Sequence, residues 1–128
     1  MGALSVLEAQ AYVTSLQART LVVGLFTDKN TEVSGGGYAR QPMSLSNGVL
    51  QVGVGVRTSN LNDLSFGPAS TDWAAPPNQI TWIKVIDSVA NRIVWAGEIP
   101  TSAKMSVVNG QPYEIRAGAL GLTLPVYE

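Results

Sequence analysis

Residues 80–99 read ITWIKVIDSVANRIVWAGEI, and this stretch sets the fold class. Two runs rich in β-branched and aromatic residues, Ile80–Ile86 and Arg92–Ile99, flank the polar segment Asp87–Asn91. Strand-formers on either side of about five turn-compatible residues predict an antiparallel hairpin. Trp82 and Trp95 fall inside its strands. There an indole ordinarily packs against the core or a neighbouring subunit, with a ligand platform as the alternative.

Moving outward, Thr20–Thr27 (TLVVGLFT) is β-branched and apolar and predicts a buried strand. Before it, Ser5 and Glu8 have capping-box spacing, and Val6, Ala9, Val13 and Leu16 follow at helical intervals. A helix over residues 6–18 is predicted. Asp28–Gly37 reads as a polar, glycine-rich loop. In Val49–Arg57 (VLQVGVGVR), Leu50, Val52, Val54 and Val56 share one parity and Gln51, Gly53, Gly55 and Arg57 the other, which predicts one alternating strand with a bare face.

Asp63–Gly67 predicts a short strand, and the segment after it carries Pro68, Pro76 and Pro77. Further strands are expected at Lys104–Val108, before the turn dipeptide Asn109-Gly110, and at Tyr113–Ala117. A last one follows Gly118, where Leu120, Leu122 and Leu124 alternate with Gly121 and Thr123. About seven or eight short strands with frequent turn signals predict a mainly β fold. The expected architecture is an antiparallel, jelly-roll-like β-sandwich with one N-terminal α-helix. It is read as a single domain over residues 1–128.

Composition narrows the function. Charged residues make up 13% of the chain and the net charge is −1, against the ~25% charged content usual for soluble domains. So few surface charges suit a surface covered by copies of itself or by a larger assembly. The chain has no histidine and no cysteine. Disulfides, thiolate metal sites, cysteine nucleophiles and histidine general bases are thereby excluded. Without a basic excess, a phosphate-tracking nucleic-acid surface is not expected. Met1-Gly2-Ala3 carries no positive n-region of a signal peptide, position 6 is Val where myristoylation expects Ser or Thr, and no apolar run reaches the ~20 residues of a membrane span.

The three glycines Gly35–Gly37, in EVSGGGYARQP (residues 32–42), invite a phosphate-cradle reading. No Gly-Lys-Ser/Thr follows and no helix starts there, so a turn needing positive φ or close backbone approach is the better reading. Arg40 beside Tyr38 is read as a structural tie. Asp28, Asn30 and Glu32 place oxygen ligands at alternate positions, but the remainder of a calcium loop is missing. The carboxylates Asp28, Glu32, Asp63, Asp72, Asp87, Glu98 and Glu114 are scattered, and no spacing selects a catalytic pair. No catalytic residue, metal ligand or cofactor is assigned. Trp73, Trp82 and Trp95 are the candidate interface or ligand aromatics.

The segment EVSGGGYARQ resembles the signature of a family of small tailed-bacteriophage proteins labelled tail fibre or head decoration (head fibre) proteins. The resemblance extends to Val23–Thr27, Trp73, Ile80-Thr81, Val85–Asp87, Ala96-Gly97 and Ala117–Leu120. The chain departs from the family at Trp82, where a histidine is frequent, and at Val89-Ala90-Asn91, where the family often has Gly-Gly-Asn. The resemblance implies a structural signature made of Glu32, Gly35, Gly36, Gly37, Tyr38 and Arg40. It further implies a non-enzymatic virion component, made in the bacterial cytoplasm and carried on the particle exterior. Its expected partners are copies of itself, as a trimer, and phage capsid or tail proteins. A host-surface glycan is the alternative partner, and neither nucleic acid nor membrane is expected.

Overall fold

The computed structural model describes residues 4–126; the Met1–Ala3 reading lies outside them. Among the described residues one α-helix, α1 (Val6–Gln17), precedes ten strands. The Ser5 hydroxyl accepts from the Glu8 N–H at 3.2 Å, the N-cap contact that the sequence spacing predicted. Ala9, Val13 and Leu16 form the buried stripe.

The largest sheet contains β1 (Leu21–Asp28), β2 (Thr31–Glu32), β3 (Gln41–Met43), β7 (Trp82–Asp87) and β8 (Arg92–Glu98). β1 lies at its centre and pairs antiparallel with β7 from Leu21↔Asp87 to Phe26↔Trp82. β7 continues into the expected hairpin with β8, from Asp87↔Arg92 to Trp82↔Glu98, with a register shift between Val85 and Ile86. A second sheet joins β4 (Val49–Gln51), β5 (Gly55–Ser59) and β10 (Gly121–Leu124) in the order β10-β5-β4. A third pairs β6 (Leu64–Phe66) with β9 (Tyr113–Ile115). The fold is mainly β, and its antiparallel sheets pack in a sandwich-like arrangement.

Leu21, Val23, Leu25, Ile83 and Val85 turn inward from the five-stranded sheet and meet Leu64, Phe66, Tyr113, Ile115 and Leu122 from the other two. Each such side chain removed from water contributes about 1.5–3 kcal/mol. A smaller cluster of Ala9, Val13 and Val56 seats α1 on the three-stranded sheet. Gly48 makes that seat possible: a Cβ there would lie 2.9 Å from Val56 Cγ1 and 3.2 Å from Val13 Cγ2.

Three expectations are corrected. Val49–Arg57 is not one strand but two, β4 and β5, folded back on each other with Gln51 opposite Gly55. Gly53 (φ +78°) and Gly55 (φ +139°) supply the positive dihedrals of the reversal, which side chains resist. Lys104–Val108 is not a strand; Met105 and Val107 make isolated bridges to Ile80 and Ala74. Asn109-Gly110 does form a turn, with Gly110 at φ +91°, but the β9 that follows pairs with β6. The segment Asp28–Gly37 is also less irregular than expected, since β2 pairs there with β1.

A buried asparagine ties the sheets together. Asn60, 2% exposed, donates through its side-chain amide to the carbonyls of Asn62 and Arg116. Its side-chain oxygen accepts the Leu120 N–H at 2.9 Å.

Candidate functional site

The glycine-rich segment meets the proline-containing loop near residues 68–73. Gly36 forms the joint: its N–H donates to Thr71 Oγ1 at 2.6 Å. Its carbonyl accepts both the Ser70 N–H at 2.9 Å and the Trp73 indole N–H at 2.9 Å. Side chains on the three glycines would prevent this approach. A Cβ at Gly35 would lie 2.5 Å from Trp73 Cδ1, and one at Gly36 2.5 Å from Ser70 Oγ. Gly37 sits at φ +81° with the Pro68 carbonyl 2.6 Å from its Cβ position. The glycines thus serve close approach at all three positions and a left-handed backbone at one.

Beyond the glycines the chain turns back over β1. The Tyr38 hydroxyl donates to Glu32 Oε2 at 2.6 Å and accepts the Leu25 N–H at 3.0 Å. Arg40 grips the same carboxylate with Nε on Oε2 at 2.8 Å and Nη2 on Oε1 at 2.7 Å, a bidentate pairing with strong directional preference. The Tyr38 ring lies parallel to Phe66 and edge-on to Trp73. Gly24 leaves room for the assembly, since its Cβ would come within 2.8 Å of Glu32 Oε2.

The electrostatics follow from these contacts. The hydrogen bonds from Arg40 hold the Glu32 carboxyl below its ordinary range despite partial burial, and Tyr38 adds to the effect. Burial raises the Tyr38 phenol above its ordinary value, and its hydrogen bond to Glu32 raises it further. Glu32 raises the Arg40 guanidinium in turn. This is a charge-locked clasp. Glu32, Gly35, Gly36, Gly37, Tyr38 and Arg40 all lie in it or in the glycine joint beside it.

The other candidates are dispersed. Trp73 is 7% exposed and belongs to the core. Trp82 is half-buried on the outer face of the five-stranded sheet, and Trp95, also half-buried, packs against the core from β8. Gly97 lets the Trp95 ring lie along the strand, because a Cβ there would strike the ring at Cη2. Trp95 also walls a groove of about 620 Å³ lined mainly by apolar residues, among them Ile99, Tyr113 and Leu120. The three indoles do not form one platform.

The scattered carboxylates mostly hold backbone. Asp28 accepts the Asn30 N–H at 2.8 Å, which lowers its pKa. Asp63, Asp72 and Asp87 accept the N–H groups of Ala117, Asn109 and Val89, and Glu98 pairs with Lys104. Glu32, the last member of the Asp28/Asn30/Glu32 alternation, is taken up by Arg40 and Tyr38. Among the described residues no group of three or more acidic side chains is placed to hold a metal ion, and no helix is long and apolar enough to cross a membrane.

The glycine partners Ser70 and Thr71 were not foreseen, because the loop that carries them gives no local signal. Lys84 was also missed, although a lone cation in the apolar run ITWIKVI is a legible anomaly.

The fold is a mainly β module in which Glu32, Tyr38 and Arg40 are hydrogen-bonded to one another. Residues 7–123 match the family described as Podophage GP4 fiber I protein gp80. The chain belongs to this phage fibre family. No curated protein and no solved structure matches it significantly.

Proposed function

We propose that the chain is a non-enzymatic structural component of a tailed-phage particle, a fibre- or decoration-type protein that assembles on the capsid or tail exterior. The observation that carries this reading is the family match over residues 7–123. The clasp supports it, since its ionisable groups are satisfied by one another.

Self-association has its own support. Leu7 (77% exposed) and Val52 (84%) are joined by the exposed Leu4 and Val54. Leu4 pairs with Val126, and Gly55 presses on the Leu124 carbonyl and Pro125. The β4–β5 tip, Leu4 and the residues after β10 therefore share one end of the molecule. Apolar residues gathered at one end of a charge-poor chain favour contact with further copies, and the resemblance favours a trimer. Many modest contacts would then act together through multivalency.

Light scattering coupled to size exclusion tests the assembly. A multiple of 13.5 kDa is expected; a monodisperse monomer at micromolar concentration overturns self-association. Locating the chain in a particle reconstruction tests head against tail, and its absence from purified virions overturns the reading. The second reading is a host-surface glycan-binding module, favoured by the half-buried Trp82 on the outer sheet face.

A further inference from the structure

The outer face of the five-stranded sheet holds a cavity of about 260 Å³ beside the clasp. The buried Phe26 and Ile86 give it an apolar floor and the exposed Ile93 borders it, with Lys84 and Arg92 among its charged residues. Lys84 is 9% exposed, and its Nζ lies 4.5 Å from the centre of the Phe26 ring. Among the described residues no carboxylate comes within ion-pair distance of Lys84 or Arg92, and no hydrogen-bond acceptor is paired with either side-chain cation. Glu32 and Arg40 also border the cavity as an ion pair, and Lys84 acts on the Glu32 and Asp28 carboxylates only beyond ion-pair distance.

The Lys84 stem is covered, while its ammonium still reaches solvent beside the ring face and has three donors to offer. A cation–π contact offsets part of its desolvation, and an anion in the cavity would offset more. Arg92, at the mouth, adds a guanidinium fork suited to a carboxylate. Two further features narrow the anion. Asn30 and Asn91 line the cavity, and their side-chain amides take part in no hydrogen bond among the described residues. The apolar floor would be wasted on a bare inorganic ion. Charge, amides and an apolar floor together match a carboxylate, ring hydroxyls and a C–H face. The volume falls just short of the ~300 Å³ at which drug-sized pockets begin, which suits one ring rather than an extended chain.

We propose that this cavity binds the carboxylate-bearing ring of an acidic sugar, a hexuronate, with Lys84 and Arg92 on the carboxylate and Asn30 and Asn91 on the hydroxyls. The proposal deepens the glycan-binding reading and is separable from assembly, because loss of sugar binding leaves the particle mass unaffected.

The test is a titration of the full chain, followed by amide chemical shifts, with galacturonate, glucuronate, galactose, acetate and inorganic phosphate. Millimolar or tighter binding of a uronate is expected, with shifts confined to residues around 26–32 and 84–93 and none with galactose. Lys84→Met should weaken the uronate by about tenfold or more. The exposed Arg92→Gln serves as the second variant, should Lys84→Met not fold. Absence of uronate binding, equal binding of galactose, or undiminished binding by a folded Lys84→Met or Arg92→Gln chain overturns the proposal. Acetate or phosphate binding as tightly as the uronates overturns the sugar assignment.

Discussion

The Trp73 indole N–H is 2.9 Å from the Gly36 carbonyl oxygen, so the most buried tryptophan is anchored by the middle residue of the glycine triplet. The bond joins segments far apart in sequence and closes one side of the core. It also explains why small residues are needed on the Gly36 side, where Ser70 and Thr71 crowd the same peptide.

Gly36→Val is therefore expected to cost about 1–3 kcal/mol, the range of overpacking, while the exposed Ser34→Ala stays near wild type. Urea unfolding of the two variants gives the comparison. An unchanged midpoint for Gly36→Val means that the close approach is not needed.

Tyr38→Phe keeps the ring stack but removes a hydroxyl that bridges Glu32 and the Leu25 N–H. A backbone donor then loses its partner, at an expected cost of about 1–3 kcal/mol. A thermal melt within error of wild type would show that water replaces the hydroxyl freely.

Glu32 gives the clasp a pH dependence. Its folded pKa lies below the ordinary glutamate value of 4.5, so its contribution is complete above that value and disappears as pH falls through the folded pKa. Glu32→Gln should be less stable near neutrality, by about 1 kcal/mol after allowance for solvent screening. The gap from wild type should close in acid. Melting temperatures taken from neutral pH down to pH 3 check this; parallel curves for the two proteins refute it.

Asn60→Ala should be among the most damaging single changes. It leaves the carbonyls of Asn62 and Arg116 and the Leu120 N–H without their partner in a buried site. Removing that many bonds should cost about 2–4 kcal/mol, at roughly 1 kcal/mol or more apiece. A smaller effect than that of Tyr38→Phe would contradict the role given to it.

Elements whose signal is local were legible in the sequence. The helix carried its own cap and stripe, and the β7–β8 hairpin placed both strands and the turn in one continuous run. The β4–β5 reversal was hidden because Gly53 and Gly55 fall on the parity that a single strand also satisfies; only their dihedrals separate the two cases. Lys104–Val108 has strand-like residues but meets single residues of a loop, so no ladder forms. At the clasp the glycines pointed to close approach. The identity of what approaches, Ser70 and Thr71, is a long-range fact without a local trace.

The strand pairings also bear on how the chain acquires its shape. Val22 meets Ile86, Val56 meets Leu124 and Phe66 meets Tyr113, so each sheet has a ladder between residues remote in sequence. Loop closure must precede the reward of such contacts, which places the chain among slow, high-contact-order folders. During synthesis β1, paired on one edge with β2 and β3, waits with its other edge bare until β7 leaves the ribosome, and β5 waits for β10. A chain cut after residue 110 lacks β9 and β10, leaving β6 and one edge of β5 unpaired. It is expected to aggregate rather than fold in part.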